Sequence, residues 1–559
     1  MVRETLSQVA GALAVVGALT LLADAHAAVS LTTWGLALAL VVALHARTLM
    51  SPGGRSLLGS HVTVRLVLAI GLAGPLLHGA VASGSQDAVL AWLALGLHLV
   101  LLRSENTLRQ AGAYTGLRVA NLPGIHVRST PAFPPVVVFC AQLVTSVVLL
   151  ALGLTSAPGW AWLVVVLVDA ALAAALCVDA LGRRLTSRAA TAALRPALEA
   201  LAPRFVLYWD VPTGPAYQLS MWLPYLERIG EPWMIVLRTN ASFPLAAKMT
   251  DRTPIVLARS LTDLENVVVP SLTTAFYVNN AARNTHLVRY SDLTHVQLLH
   301  GDSDKAPSYN PVTAMFDKIF VAGQAGIDRY PAHGVLIPDS KFVIVGRPQV
   351  EDVQQSDVPV ASIAQPRVLY APTWQGYRED SNYSSLPVAV ALMERLLARG
   401  ATVTFRPHPY SYQDGPSRAV IEQLQAMLAQ DAAATGRPHV WGAAAETETT
   451  IVECFNAADA MVADVSSVVP DFLYSKKPWA IMSRVADRAE FLADFPLAAA
   501  GYVVAPDLAG VDDVLDAMLG DDPLRAERER LRTHYLGDFP ASTYAQAFVD
   551  AARDVVRGA

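Results

Sequence analysis

Ser466 and Ser467 follow an apolar run, Ala460–Ala463, and open a stretch, Val468–Tyr474, with the pattern of a helix's first turns. Two hydroxyls in that place, with Pro470 in the first turn, leave unpaired backbone N–H groups and the positive end of the helix dipole facing whatever lies beyond the strand. Such a turn seats a phosphate; a plain helix cap is the competing reading. Two further groups of reactive residues stand in the same relation to a strand. His300-Gly301 follows His295–Leu299, and Arg406-Pro407-His408-Pro409 follows Thr402–Phe405. A neutral imidazole suits removal of a proton from an alcohol at neutral pH, and arginine offers fixed donors to a phosphate. Ligands of open α/β sheets bind beyond the carboxyl ends of the strands, so the three groups are expected to converge on one cleft.

The elements that must position them alternate in type. From Phe205 onward short apolar strands alternate with helical stretches: Phe205–Trp209, Met234–Leu237, Ile255–Leu257, Phe276–Val278, His295–Leu299, Lys318–Val321 and Phe342–Val345, then Val368–Ala371, Thr402–Phe405, His439-Val440, Ala460–Ala463 and Trp479–Met482. Leu386–Leu397 and Ala419–Leu428 read as helices between them. Phe205–Trp209 leads into Gly214-Pro215-Ala216-Tyr217-Gln218 and an amphipathic helix, a nucleotide-fold beginning without the G-x-G-x-x-G fingerprint. Two such series predict two doubly wound parallel-sheet domains joined near Gly346-Arg347-Pro348. The charged, helical Asp512–Ala559 is expected to cross back onto the first of them.

The motifs resemble those of the CDP-glycerol glycerophosphotransferase family, which builds teichoic-acid-type glycerol phosphate polymers. Asp459–Trp479 is similar to the family's closing signature, and Tyr370-Ala371-Pro372-Thr373-Trp374 resembles its Tyr-Ala-Pro-Thr-Trp stretch nearly residue for residue. Arg406-Pro407-His408-Pro409 resembles Arg-x-His-Pro. Leu299-His300-Gly301-Asp302-Ser303 resembles Trp-His-Gly-Thr-Pro, with Leu299, Asp302 and Ser303 departing from it. Gly346–Asp352 resembles a Gly-x-Pro-Arg-Asn-Asp segment in which Gln349 replaces the arginine and Arg347 is the candidate substitute. The resemblance covers about residues 205–550. It implies a GT-B-like pair of Rossmann-type domains, residues 189–345 on the acceptor side and 346–559 binding a CDP donor.

It also implies roles. His300 would act as the base and His408 would stabilise charge on the leaving CMP. Leu299, Gly301, Asp302, Ser303, Arg347, Pro372, Thr373, Arg406, Pro407, Ser466 and Ser467 would line the substrates, and Asp471 would contact the donor's glycerol hydroxyls. Asp302-Ser303-Asp304 is a D-x-D pattern, yet a helix end and cations serve a leaving nucleotide in such folds, so no cofactor or protein-bound metal is expected. Lys476 and Lys477 are either solvated or one screens the diphosphate. The expected partners are CDP-glycerol, a lipid-linked acceptor in the membrane and other envelope-polymer enzymes. A GT-B glycosyltransferase using a nucleotide sugar would share the fold and the phosphate seat, and a catalytically inactive membrane scaffold is the reading from another class.

Composition sets the remaining bounds. The 559 residues exceed one ordinary domain. With 53% apolar residues, a mean hydropathy of +0.36 and a net charge of −6, the chain fits a membrane portion and not a nucleic-acid protein held by a basic surface. Cys140, Cys177 and Cys454 lack metal-ligand spacing. Residues 1–188 hold six apolar segments, Val9–Ala23, Val29–Leu44, Leu66–Ala82, Ala88–Leu102, Val136–Leu154 and Trp160–Leu181, read as an all-α transmembrane domain with its first segment retained. Ala189–Leu201 reads as a linker helix. Asp169 lies within the sixth segment, with His78, His98 and Gln142 as its candidate partners. Arg3, Arg47, Arg55, Arg65, Arg103, Arg109, Arg118, Arg128, Arg183, Arg184 and Arg188 all fall on one side of the six-span arrangement, and the opposite loops have no arginine or lysine. The positive-inside rule makes this a multi-pass protein of the cell membrane with both termini and the catalytic portion cytoplasmic. Protease is expected to remove the soluble portion from inside-out vesicles and to spare it in intact cells; the reverse pattern would overturn this orientation.

Overall fold

Apolar segments that cross a bilayer must satisfy every backbone N–H and C=O internally, which a helix does within one segment. In a computed structural model the chain is described over residues 86–558, apart from 129, 156, 212–215, 302–305 and 377–381, with a few isolated positions before 86. Two units are distinguished, Met1–Val119 with Gly124–Leu194, and Ala120–Pro123 with Arg195–Ala559. Among the described residues three helices are long and apolar enough to cross a membrane: Gln86–Arg103, Val136–Leu154 and Gly159–Leu201. Leu93, Val100, Val144, Val168 and Val178 lie exposed on them, an outward apolar surface suited to lipid. They correspond to the last three expected segments; apart from isolated positions, Val9–Ala23, Val29–Leu44 and Leu66–Ala82 lie outside the described residues.

The sixth segment and the expected linker are one continuous helix of 43 residues, Gly159–Leu201, about 65 Å long at the α-helical rise. Good helix formers (Ala, Leu, Arg) fill the junction, so nothing local ends the helix there. Asp169 faces His98, whose Nδ1 is 3.8 Å from Oδ2, with both side chains fully buried. Gln142 turns to the Leu101 carbonyl instead, at 3.3 Å, and His78 lies outside the described residues.

The second unit carries two sheets. The first comprises β1 (Val119–Ala120), β2 (Phe205–Trp209), β3 (Trp233–Leu237), β4 (Ile255–Leu257), β5 (Thr274–Tyr277), β6 (Thr294–Gln297), β7 (Lys318–Val321) and β8 (Phe342–Ile344), in the order β1-β4-β3-β2-β5-β6-β7-β8. From β4 to β8 every neighbour pair is parallel. The second comprises β9 (Arg367–Ala371), β10 (Thr402–Phe405), β11 (Ala460–Ala463), β12 (Trp479–Met482) and β13 (Tyr502–Val504), all parallel, in the order β10-β9-β11-β12-β13. Strands covered on both faces read as unbroken apolar runs, and β2, β3, β11 and β12 are buried at every position. The chain is thus an α/β protein with a GT-B-like pair of doubly wound domains. His439-Val440 is not a strand: Val440 makes one isolated bridge to Thr404.

Each sheet has one point where strand order reverses, β2/β5 in the first and β9/β11 in the second. The crevice beyond the strands opens there, because the crossovers on either side leave in opposite directions. The closing helix, Gln546–Arg557, buries Phe548, Val549, Ala552 and Val556 in the first sheet's core. Phe548 meets Trp222 with ring centroids 5.0 Å apart, and Thr273 Oγ1 donates to the Val556 carbonyl at 2.8 Å. The C-terminus therefore staples the two domains together. Phe548→Ala is expected to destabilise the first domain by about 3–5 kcal/mol, as large-to-small core changes do; a urea unfolding midpoint close to that of the parent chain would show that the helix only rests on the surface.

Candidate active site

The end of β6 turns sharply before it delivers His300. Leu299 has φ 55°, a left-handed conformation that costs a branched side chain energy. Two contacts hold it: its N–H donates to Gln297 Oε1 at 3.2 Å and its carbonyl accepts from the Trp222 indole at 2.7 Å. The turn brings His300 Nδ1 to 2.6 Å from the Val278 carbonyl, just past β5. A carbonyl only accepts, so Nδ1 carries the proton and the lone pair of the neutral ring is on Nε2. Burial, and to a lesser extent the Arg347 charge, hold the His300 pKa below the ordinary histidine value, partly offset by the Val278 bond. Nε2 lies 3.2 Å from the Gln218 amide, and Tyr217 packs its ring against the imidazole at 5.9 Å. His300 thus stands at the first sheet's switch point, among residues beyond β2, β5 and β6.

The second sheet's switch point faces it. A Cβ on Gly301 would lie 3.7 Å from Ser467 Cβ, an ordinary contact distance, so the two motifs meet across the domain boundary. Ser467 occupies the N-cap position of Val468–Leu473 but makes no side-chain capping bond, and Ser466 Oγ is buried with no hydrogen-bond partner among the described residues. Neither hydroxyl is consumed by capping. Alongside them the register Ala371↔Ala463 ends β9 and β11 together. The fully buried Asp464 accepts from Thr373 N–H at 2.7 Å and Ser385 N–H at 3.1 Å, tying the Pro372-Thr373 loop to the serine turn. His408 N–H donates to the Pro372 carbonyl at 3.0 Å. The His408 Nδ1 accepts from Tyr410 N–H at 3.1 Å, so the neutral ring carries its proton on Nε2 as a donor. Trp374 stacks on it and Tyr410 meets both rings edge-on.

Other expected residues are drawn into structural contacts. Arg347 binds Asp471 through Nε and Nη2, the latter at 3.1 Å, and the pair is mostly buried. Asp471 therefore meets a guanidinium where donor glycerol hydroxyls were expected, because the join between the domains places Arg347 against the serine helix. Gly346 makes that join: its φ is 72°, and a Cβ there would sit 3.1 Å from the Tyr544 ring. Arg406 gives Nη1 to the Ala445 and Thr449 carbonyls, the latter at 2.7 Å. Lys477 caps the helix Ile451–Ala457, donating to the Phe455, Asn456 and Ala458 carbonyls at 2.9, 3.3 and 2.7 Å, and burial lowers its pKa. Lys476 lies 3.6 Å from Asp357. Leu299, Gly301, Arg329 and Arg347 line one cavity beside the first sheet and the interdomain join. Asp302 and Ser303 lie outside the described residues, and Pro407 is buried under its loop. Gln218 and Asp464 carry the site's internal bonding, yet no chemical pattern in the sequence marks Gln218 beyond its place after β2.

Two parallel-sheet domains thus face each other at their switch points, with a neutral histidine on one and two serine hydroxyls free of capping bonds on the other. Residues 353–491, which include Thr373, Arg406, His408, Ser466, Ser467 and Asp471, match the family described as CDP-Glycerol:Poly(glycerophosphate) glycerophosphotransferase. Solved structures that the chain is similar to include the following three. The wall teichoic acid polymerase TagF has 11% identity and a TM-score of 0.41, with 66% of this chain and 93% of that one covered. A putative UDP-N-acetylglucosamine 2-epimerase from Listeria monocytogenes has 11% identity and a TM-score of 0.43, covering 64% and 98%. A glycosyltransferase from Rickettsia africae ESF-5 has 12% identity and a TM-score of 0.40, covering 64% and 100%. No curated protein matches the sequence.

The Arg347–Asp471 pair has a direct consequence for stability. Arg347→Ala and Asp471→Ala are each expected to cost about 3 kcal/mol, because each leaves a largely buried charge alone. The double variant is expected to lose little more than either single one. Urea unfolding of the three variants reads the coupling, and strictly additive losses would show that the pair does not act as a unit.

Proposed function

We propose that this protein transfers glycerol 3-phosphate from CDP-glycerol to a hydroxyl of a lipid-linked acceptor and releases CMP, in synthesis of a teichoic-acid-like envelope polymer. The observation that carries this reading is the neutral His300, held with its lone pair on Nε2 beside the uncapped Ser466-Ser467 turn, within a chain whose residues 353–491 match a glycerophosphotransferase family. Residues 189–345 form the acceptor side and 346–559 the donor side. The acceptor oxygen loses its proton to His300 Nε2 and attacks the distal phosphorus in line. A new P–O bond forms as the bond to the CMP oxygen breaks. Ser466, Ser467 and the N–H groups that open their helix hold the diphosphate, and His408 Nε2–H donates to the departing phosphate. Thr373 lines the nucleotide. Catalysis here is positioning and electrostatics, as in other phosphoryl transfers.

The helices that can span a bilayer keep the enzyme at the surface where a lipid-linked acceptor resides, with the catalytic portion cytoplasmic and other envelope-polymer enzymes as neighbours. The reaction is tested by CMP release from CDP-glycerol with native membrane lipid, against CDP-ribitol and UDP-sugars; turnover with a UDP-sugar alone would replace the reading by a glycosyltransferase. His300→Ala is expected to lower turnover about 10²–10⁴-fold, the contribution of a positioned general base, with CDP-glycerol affinity little changed. Burial lowers the His300 pKa, so at a given pH more of the base is neutral than of an exposed histidine. kcat/KM should therefore rise with pH through a midpoint below the ordinary histidine value of about 6.5 and stay level above it; a midpoint above that value would rule out His300 as the titrating base.

A further inference from the structure

Gln218 has no part in the reaction as written, yet it touches the base. Its side chain is 3.2 Å from His300 Nε2, and distant contacts decide which end of its amide faces the ring. The Trp209 indole N–H, which only donates, meets Gln218 Oε1 at 3.4 Å. Asn279 Nδ2 donates to the same oxygen at 3.2 Å. That second amide is itself oriented, because its Nδ2 also meets the Asp210 backbone carbonyl at 3.2 Å, and a carbonyl only accepts. The oxygen of Gln218 is therefore occupied on its far side and its NH2 group points at Nε2. Across the ring, the Val278 carbonyl requires a proton on Nδ1. An imidazolium would place a second proton on Nε2, donor against donor.

We propose that Gln218 is a positioning residue that keeps His300 in the neutral, Nδ1-protonated tautomer and occupies the Nε2 lone pair until the acceptor hydroxyl displaces it. This rests on the reading of His300 as the base. The bonding runs across the ends of β2, β5 and β6, from Trp209 and Asp210 through Asn279 and Gln218 to His300. The Gln218 amide thereby marks the spot where the acceptor oxygen must arrive, and it disfavours the protonated ring independently of burial. The resting base is unable to take a proton from a stray donor unless that donor can compete for the place of the amide.

The test reads the histidine directly. In the full chain in detergent micelles with ring-labelled histidine, the NMR signal lost in His300→Gln identifies His300, and its titration is followed without substrate. Gln218→Glu keeps the size of the side chain and an oxygen toward Trp209 and Asn279 but sets a carboxylate against Nε2. The His300 midpoint is expected to rise by about 1–3 pH units, the effect of an opposite charge at this distance, and the acid limb of the rate profile to move up with it. Gln218→Met, which removes the donor without adding charge, is expected to raise the midpoint by less. Unchanged midpoints in both variants would overturn the proposal. A raised midpoint in a protein that does not turn over CDP-glycerol would uphold the role of Gln218 and overturn the proposed reaction, so the two failures are separable.

Discussion

The hydrogen bond from His300 Nδ1 to the Val278 carbonyl is the contact on which the site's chemistry depends. It can exist only because β5 and β6 are parallel neighbours whose ends lie side by side, with Tyr277 paired to Gln297. A strand-end carbonyl has no further ladder partner, and a buried carbonyl is costly to leave unpaired. The imidazole satisfies it and in return is fixed in one tautomer. The left-handed Leu299 is the cost of that arrangement, held by Gln297 from below and Trp222 from the side. The strain thus has a purpose visible in the geometry: without the sharp turn the chain would continue along the strand direction and the ring would miss the switch point.

The second domain solves a complementary problem. In the proposed reaction a diphosphate needs donors that are not already spent, whereas a folded interior tends to pair every donor. Asp464 resolves this by taking the N–H groups of Thr373 and Ser385, so the loops on either side are fixed without using the serine hydroxyls. Ser466 and Ser467 remain at the cleft, and the neighbouring cations are held back. Arg406 is committed to backbone carbonyls and Arg347 to Asp471. Positive charge is therefore close to the serine turn but anchored.

The two halves work only in register with each other. Contacts between the interdomain join and the C-terminus set that register: the Gly346-Arg347 join packs on Tyr544, and the closing helix returns Phe548 and Val556 to the first core. Arg347 N–H donates to the Tyr544 hydroxyl at 3.1 Å, and that hydroxyl donates to the Leu536 carbonyl at 2.6 Å. The join and the C-terminal helices are thus one bonded assembly. This places the approach of Gly301 to Ser467 under the control of residues far from either motif.

The local order of the chain was legible without any tertiary information. Ile255–Leu257, Lys318–Val321, Thr402–Phe405, Ala460–Ala463 and Trp479–Met482 are strands at the residues their apolar runs indicate. Parallel strands are covered on both faces, so their signal is contained in a few consecutive residues. The positions of His300, His408 and Ser466 at strand ends follow from the same local pattern. Weak signals failed in both directions: the two-residue His439-Val440 run forms only a bridge, while Tyr502–Val504 is too short to stand out after Gly501. What only the tertiary structure decided is which atoms each side chain meets. Arg347 and Asp471 are 124 positions apart, Arg406 and Thr449 43 apart, and Gln218 and His300 82 apart. A hydrogen bond depends on an acceptor arriving within about 3 Å from another segment, and residue type and spacing along one segment carry no information about that arrival. The sequence by itself determined which groups stand at the ends of strands; the packing of those strands decided which of them remain available for chemistry.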